Sequence, residues 1–86
     1  MTRYRARVRV MPRTTILDPQ GQAVAHALGE LGFAGVTGVR VGRTLELELE
    51  AASAEAARAG ALRMCERLLA NPVTEDFALD AVEAQS

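Results

Sequence analysis

The sequence predicts an α+β domain, and three stretches carry that prediction. Tyr4 to Met11 alternates, with Tyr4, Ala6, Val8 and Val10 on one side and Arg3, Arg5, Arg7 and Arg9 on the other. That period of two is a half-buried strand. Val24, Ala27, Leu28 and Leu31 recur at three- and four-residue steps between Asp18-Pro19 and Gly32, which is one apolar helix stripe. Thr44 to Glu50 alternates again, Leu45, Leu47 and Leu49 against Glu46, Glu48 and Glu50.

The elements follow in order. Pro12 has no N–H for a ladder, so the first strand stops there. Ile16 or Leu17 suits a hydrophobic staple ahead of the helix. Asp18 suits an N-cap, since its carboxylate accepts from a free N–H of the first turn. Pro19 fits the first helical position. Gly32 supplies a left-handed stop, and Phe33 can fold back on the last turn. Val36 to Val41 is expected as a second strand, Thr37, Val39 and Val41 on one face and Gly38 and Arg40 on the other. Gly42-Arg43 is expected as a tight reversal into the strand Thr44 to Glu50. Ser53 caps a second helix, helped by Glu55 at its positive end. Ala61, Leu62, Cys65, Leu68 and Leu69 form its buried stripe, with Arg58, Arg63 and Arg67 opposite. Asn71 suits the left-handed C-terminal position, and Pro72 forbids continuation. Val73 to Leu79 is expected as a short last strand with Val73, Phe77 and Leu79 inward, and residues 79–86 as a frayed tail.

The order β-α-β-β-α-(β) is the ferredoxin-like plan, an antiparallel sheet with two helices on one face. In that plan the strand Thr44 to Glu50 lies between the first and second strands. The Arg face of the first strand then meets the Glu face of the third, which favours this register.

Residues 1–86 make a single domain. A chain this short buries only about 60–65% of its unfolded surface, so association would supplement its core. The net charge of −1 gives no field that draws nucleic acid or an anionic membrane. Every basic residue apart from His26 is Arg, which reads as codon bias rather than as a site. Cys65 is alone, so no disulfide forms within the chain. No apolar run reaches transmembrane length and no signal-peptide pattern is present. A cytoplasmic protein is expected.

Candidate chemistry is sparse. Glu46 and Glu48 share a strand face, but an open face beside Arg offers no cleft to split their pKa values. His26 lies beside Gln22 and Glu30 without a partner at ligand spacing. Cys65 lies on the buried stripe, where a thiol packs rather than attacks. The Arg face lacks the aromatics on which single strands stack, so no nucleic acid is expected. Gly35 to Arg40 runs into a strand, unlike a phosphate loop. An acylphosphatase-like anion loop would need glycines where Pro12-Arg13-Thr14-Thr15 stands. The residues alone leave an interaction module, or a stand-alone ferredoxin-like domain that binds a small ligand or regulates.

Two blocks do more. The first is Leu17-Asp18-Pro19-Gln20-Gly21, then Ala23-Val24, Ala27-Leu28, Leu31-Gly32-Phe33, Val36, Val39-Arg40 and Gly42 with Arg43. The second is Cys65 to Val73, followed by Glu75-Asp76 and Phe77. In this order they resemble the PurS family, the small subunits of bacterial phosphoribosylformylglycinamidine synthase. The stretch Met11 to Thr15, and Arg43 in place of Lys, depart from the family pattern.

The resemblance implies a required subunit of a glutamine-dependent C–N ligase of de novo purine synthesis. That enzyme makes formylglycinamidine ribonucleotide from formylglycinamide ribonucleotide, ATP and glutamine. The active sites are expected in an ATP-dependent large subunit, which takes ATP and Mg, and in a glutaminase subunit. The small subunit is expected to have no catalytic residues, cofactor or metal. It self-associates to a dimer or tetramer and bridges the other two, so that ammonia passes between them. Asp18, Pro19, Gln20, Gly21, Arg40, Asn71 and Pro72 are the expected interface residues. Capping already explains Asp18 and Pro19, whereas Gln20 is left for a partner.

Overall fold

A computed structural model describes residues 1–85 of the chain. β1 (Thr2–Pro12), α1 (Pro19–Glu30), β2 (Arg43–Ala51), α2 (Ala54–Met64) and β3 (Glu75–Gln85) follow one another. Cys65–Leu69 continues α2 as a π-helical turn. The strands form one antiparallel sheet in the order β2-β1-β3. This is the expected α+β class, with two helices and an antiparallel sheet.

β1 is the central strand because its alternation serves two neighbours. Its Ala6, Val8 and Val10 are fully buried and Tyr4 nearly so. α2 covers them with small side chains, Ala57, Ala61 and Cys65, all fully buried. Their size lets the helix backbone approach the sheet closely. On the opposite face the expected register is present, with Arg3 paired to Glu50, Arg5 to Glu48 and Arg7 to Glu46. Arg5 Nη2 lies 3.2 Å from Glu48 Oε1, and Arg5 Nε 3.7 Å from Glu46 Oε2. Each exposed pair contributes about 0–1 kcal/mol, so the row fixes register more than it adds stability.

Several expectations are corrected. Val36 to Val41 is not a strand, and Gly42-Arg43 is not a reversal. The Val41 N–H donates to the Asp18 carboxylate at 2.8 Å, so it is not free to extend a ladder. Gly42 is required for a different reason: a Cβ there would overlap the Val10 carbonyl oxygen and the Met11 sulfur. Next, the tail does not fray between positions 79 and 85. β3 runs to Gln85 along β1, with a bulge between its partners to Arg7 and Val8; Ser86 lies outside the described residues. β3 begins only at Glu75, and Val73 is 73% exposed while Phe77 and Leu79 pack on the core as expected. Asn71 is not left-handed, since no non-glycine residue among those described has positive φ. Its side chain instead accepts from the Val73 N–H at 2.9 Å, an Asx turn. Finally, Leu68 is 81% exposed rather than buried. The Ala70 N–H reaches back to the Cys65 carbonyl, and this wider turn rotates Leu68 off the buried stripe.

α1 starts and stops as its residues predict. The Asp18 side chain accepts from the Gly21 N–H at 3.1 Å, and Pro19 fills the first position. Gly32 has φ +94°. The Phe33 N–H bonds the Leu28 carbonyl and the Gly32 N–H the Gly29 carbonyl, the paired C-terminal arrangement in which glycine turns left-handed. The placement of α1 differs from the plan. It does not lie on the sheet; the contacts that cover the sheet come from α2. Residues 13–42 leave the end of β1 as an arm and return at β2. The radius of gyration is 16.6 Å and the extents are 52 × 29 × 14 Å, against about 12 Å for a compact chain of this length. Val24, Leu31 and Phe33 of the arm are 42%, 73% and 57% exposed. The stripe that predicted the helix is therefore largely unburied within one chain, with only Leu28 half-buried.

Candidate interaction site

The two sequence blocks meet where the arm leaves the sheet. Asp18 joins the arm's outward and returning limbs. One carboxylate oxygen accepts from the Gly21 N–H and the other from the Val41 N–H. The Val41 and then the Gly21 hydrogen bond, with the Arg40 charge nearby, hold the Asp18 carboxyl below the usual carboxylate range. Gly21 lies against the Val39 carbonyl so closely that no Cβ fits. The first turn of α1 and residues 39–41 are thus one rigid root. The Arg40 guanidinium ties this root to β1 through the Pro12 carbonyl oxygen.

A second knot lies beside it. Arg43, the first residue of β2, pairs bidentately with Glu75, the first of β3, at 2.6 and 3.0 Å. The same guanidinium donates to the Leu69 carbonyl at 2.5 Å. Glu75 also accepts from the Asn71 N–H at 2.8 Å. The Glu75 side chain is only 19% exposed, so the pair is better shielded than the Arg–Glu row. Arg43 first, then the Asn71 N–H, holds the Glu75 carboxyl below its usual range, while Glu75 raises Arg43. Arg13 clips the same turn by donating to the Pro72 carbonyl at 2.7 Å and lying 3.5 Å from Asp76.

Between the two knots is a cleft of about 260 Å³ walled by Pro12, Asp18, Gln20, Val41, Arg43 and Glu75. The structure thus brings Asp18, Gln20, Gly21 and Arg40 together at the arm's root. Asn71 and Pro72 join them through Glu75 and Arg13. Gln20 and Pro19 are exposed, and Gln20 also walls the cleft. Arg43, Glu75 and Arg13 belong to the site and were not assigned to it from the sequence. The sequence singles out neither Arg43, expected in a reversal, nor Glu75, expected within a strand; only the fold brings them together as the first residues of β2 and β3.

These groups bind backbone and each other. His26 pairs with Glu30 at 2.9 Å on the exposed side of α1. Burial pushes the Cys65 thiol up, away from the reactive thiolate. Among the described residues no three His, Cys, Asp or Glu side chains gather as metal ligands, and no helix is long and apolar enough to cross a membrane. What the arrangement does is fix the angle of an arm with exposed apolar side chains.

Comparison with known proteins agrees with the two blocks. The family model described as PurS: Phosphoribosylformylglycinamidine (FGAM) synthase matches residues 5–83. The phosphoribosylformylglycinamidine synthase subunit PurS of Mycobacterium leprae is 48% identical over 75 residues, 87% of this chain and 91% of that one. The structure of Thermus thermophilus PurS superposes with a TM-score of 0.87 at 42% identity, covering 98% of this chain and 99% of the other. A chain in the structure of PurLQS from Thermotoga maritima matches with a TM-score of 0.82 at 30% identity, over 99% of this chain and 100% of that one. With sequence and fold both matched over most of the chain, the chain belongs to the PurS family of phosphoribosylformylglycinamidine synthase subunits.

Proposed function

We propose that this chain is the non-catalytic small subunit that joins the ATP-dependent large subunit and the glutaminase subunit of the synthase. Its work is positional: it holds the two enzymes so that ammonia released at one reaches the other. The observation that carries the reading is the arm, a rigidly rooted helix whose apolar stripe has little cover in its own chain. Such a surface suits assembly rather than turnover. The full-length match to a chain of the PurLQS structure from Thermotoga maritima supports the same partners.

ATP and Mg act in the large subunit, and the small subunit takes neither. Self-association, to a dimer or tetramer, completes the core. The place of work is the cytoplasm, where purine precursors are made. Asp18, Gly21 and Arg40 act by fixing the arm's root, and Asn71 and Pro72 by shaping the turn beside it. Pro19 and Gln20 are exposed and meet a partner.

The test is assembly. The large and glutaminase subunits sediment as one complex with the chain present and separately without it. Gln20→Ala weakens that complex while the variant's thermal unfolding stays that of the parent, because Gln20 makes no side-chain hydrogen bond among those within the described residues. Unchanged affinity for both partners would remove Gln20 from the interface.

A further inference from the structure

We propose that Arg13 and Arg43 are positioning residues for ammonia transfer: from the two ends of the arm they grip one turn, residues 70–74, and so hold the arm at a single angle to the sheet. This rests on the bridging reading and adds the residues on which its geometry depends.

The chain joins the arm to the sheet through two neighbouring limbs. Arg13 follows the end of β1, and Arg43 opens β2, the strand beside it. Two adjacent points of attachment make a hinge. They fix where a body is held and leave it free to swing about the line between them. Nothing along α1 stops that swing, since it has no extended contact with the sheet or with α2. Asp18 locks the two limbs to each other. Arg40 ties them to Pro12, which lies on the hinge itself. A fixed angle needs a further hold to one side of that line.

The turn between α2 and β3 supplies it. β3 lies on the far side of β1 from β2, so the turn that leads into it stands beside both limbs. The Arg13 N–H donates to the Thr74 carbonyl at 2.9 Å. The Arg13 guanidinium donates to the Pro72 carbonyl at 2.7 Å. Arg43 comes from the other side. Its guanidinium passes the end of the central strand to pair bidentately with Glu75 and to reach the Leu69 carbonyl. One side chain thereby joins two strands that share no ladder. The turn is stiff enough to serve as an anchor. The Asn71 N–H donates to Glu75, the Asn71 side chain accepts from the Val73 N–H, and Pro72 fixes its own φ.

The leverage is considerable. The 12 residues of α1 make a rod about 18 Å long, so a swing of about 15° at the root carries the tip about 5 Å. Displacements well below that are enough to spoil a placed site.

The experiment titrates the whole chain into the large and glutaminase subunits until synthesis levels off. Glutamine-dependent synthesis at that plateau is expressed relative to ammonia-dependent synthesis by the same preparation. Arg13→Met and Arg43→Met keep an aliphatic stem and remove the donors. The two side chains are 46% and 48% exposed, so neither change empties a core. Each is expected to lower the plateau ratio several-fold, and Arg43→Lys, which keeps a charge for Glu75, to restore most of it. A loss of stability or affinity alone reads differently: more chain is needed, and the plateau ratio stays that of the parent. That result overturns the proposal and leaves the bridging reading standing. If Arg43→Met does not fold, Glu75→Gln decides, since it keeps the shape and removes the charge. A lowered plateau ratio there supports the grip, and a parent ratio overturns it. A parent chain that does not raise the glutamine-dependent reaction overturns the bridging reading, and this proposal with it.

Discussion

Glu75 shows how one carboxylate can organise three segments. It neutralises Arg43 at the start of β2, caps the turn through the Asn71 N–H, and starts β3. Replacing it with Gln keeps the shape and removes the charge. The cost at neutral pH is about 1–2 kcal/mol, since hydrogen bonds to a charged group are the stronger kind. The same reasoning sets a pH dependence. Asp18 and Glu75 both hold their carboxyls below the usual range when folded, so the unfolded chain binds those protons first. Their contribution is complete above the ordinary carboxylate values, about 4, and is lost as pH falls through the lower folded ones. Urea midpoints measured down the acid limb should therefore fall, and fall less steeply in Glu75→Gln. An identical slope in variant and parent would contradict this role for Glu75.

At the scale of elements, α1 separates two uses of glycine. At Gly21 an added Cβ meets the Val39 carbonyl and the Asp18 carboxylate; at Gly29 it meets nothing. Gly21→Ala should cost about 1–3 kcal/mol by forcing the root apart. Gly29→Ala should gain about 0.5–1 kcal/mol, because alanine loses less freedom than glycine in a helix. Chemical denaturation of the pair checks both signs. The contrast also explains what could be read in advance. Strict alternation and an Asp-Pro start fix β1, β2 and the bounds of α1 locally, and the Arg–Glu rows fix the register between strands. Val36 to Val41 alternates equally well, yet is no strand, because the Asp18 carboxylate takes the Val41 N–H from 23 residues away. Leu68 follows the helical period, but the π-helical turn rotates it outward. Asp18, Gly21 and Arg40 are legible in the sequence as parts of a motif. Their work in rooting an arm is not, since it depends on where β1 ends relative to residues 39–43.

At the scale of the whole molecule, the chain gives β1 a full cover of small residues from α2 and gives α1 little. A small domain that leaves a helix stripe largely bare has its stability tied to association. Its folding and its place in the enzyme are then one property: variants at Leu31 or Phe33 should affect both together. The central claim is that the chain serves transfer of ammonia between two enzymes and adds no chemistry of its own. The most direct measurement compares synthase activity of the large and glutaminase subunits, with and without this chain, using glutamine and then ammonia as the nitrogen source. The account predicts that the chain restores the glutamine-dependent reaction and leaves the ammonia-dependent one unchanged. Equal stimulation of both reactions, or of neither, would contradict it.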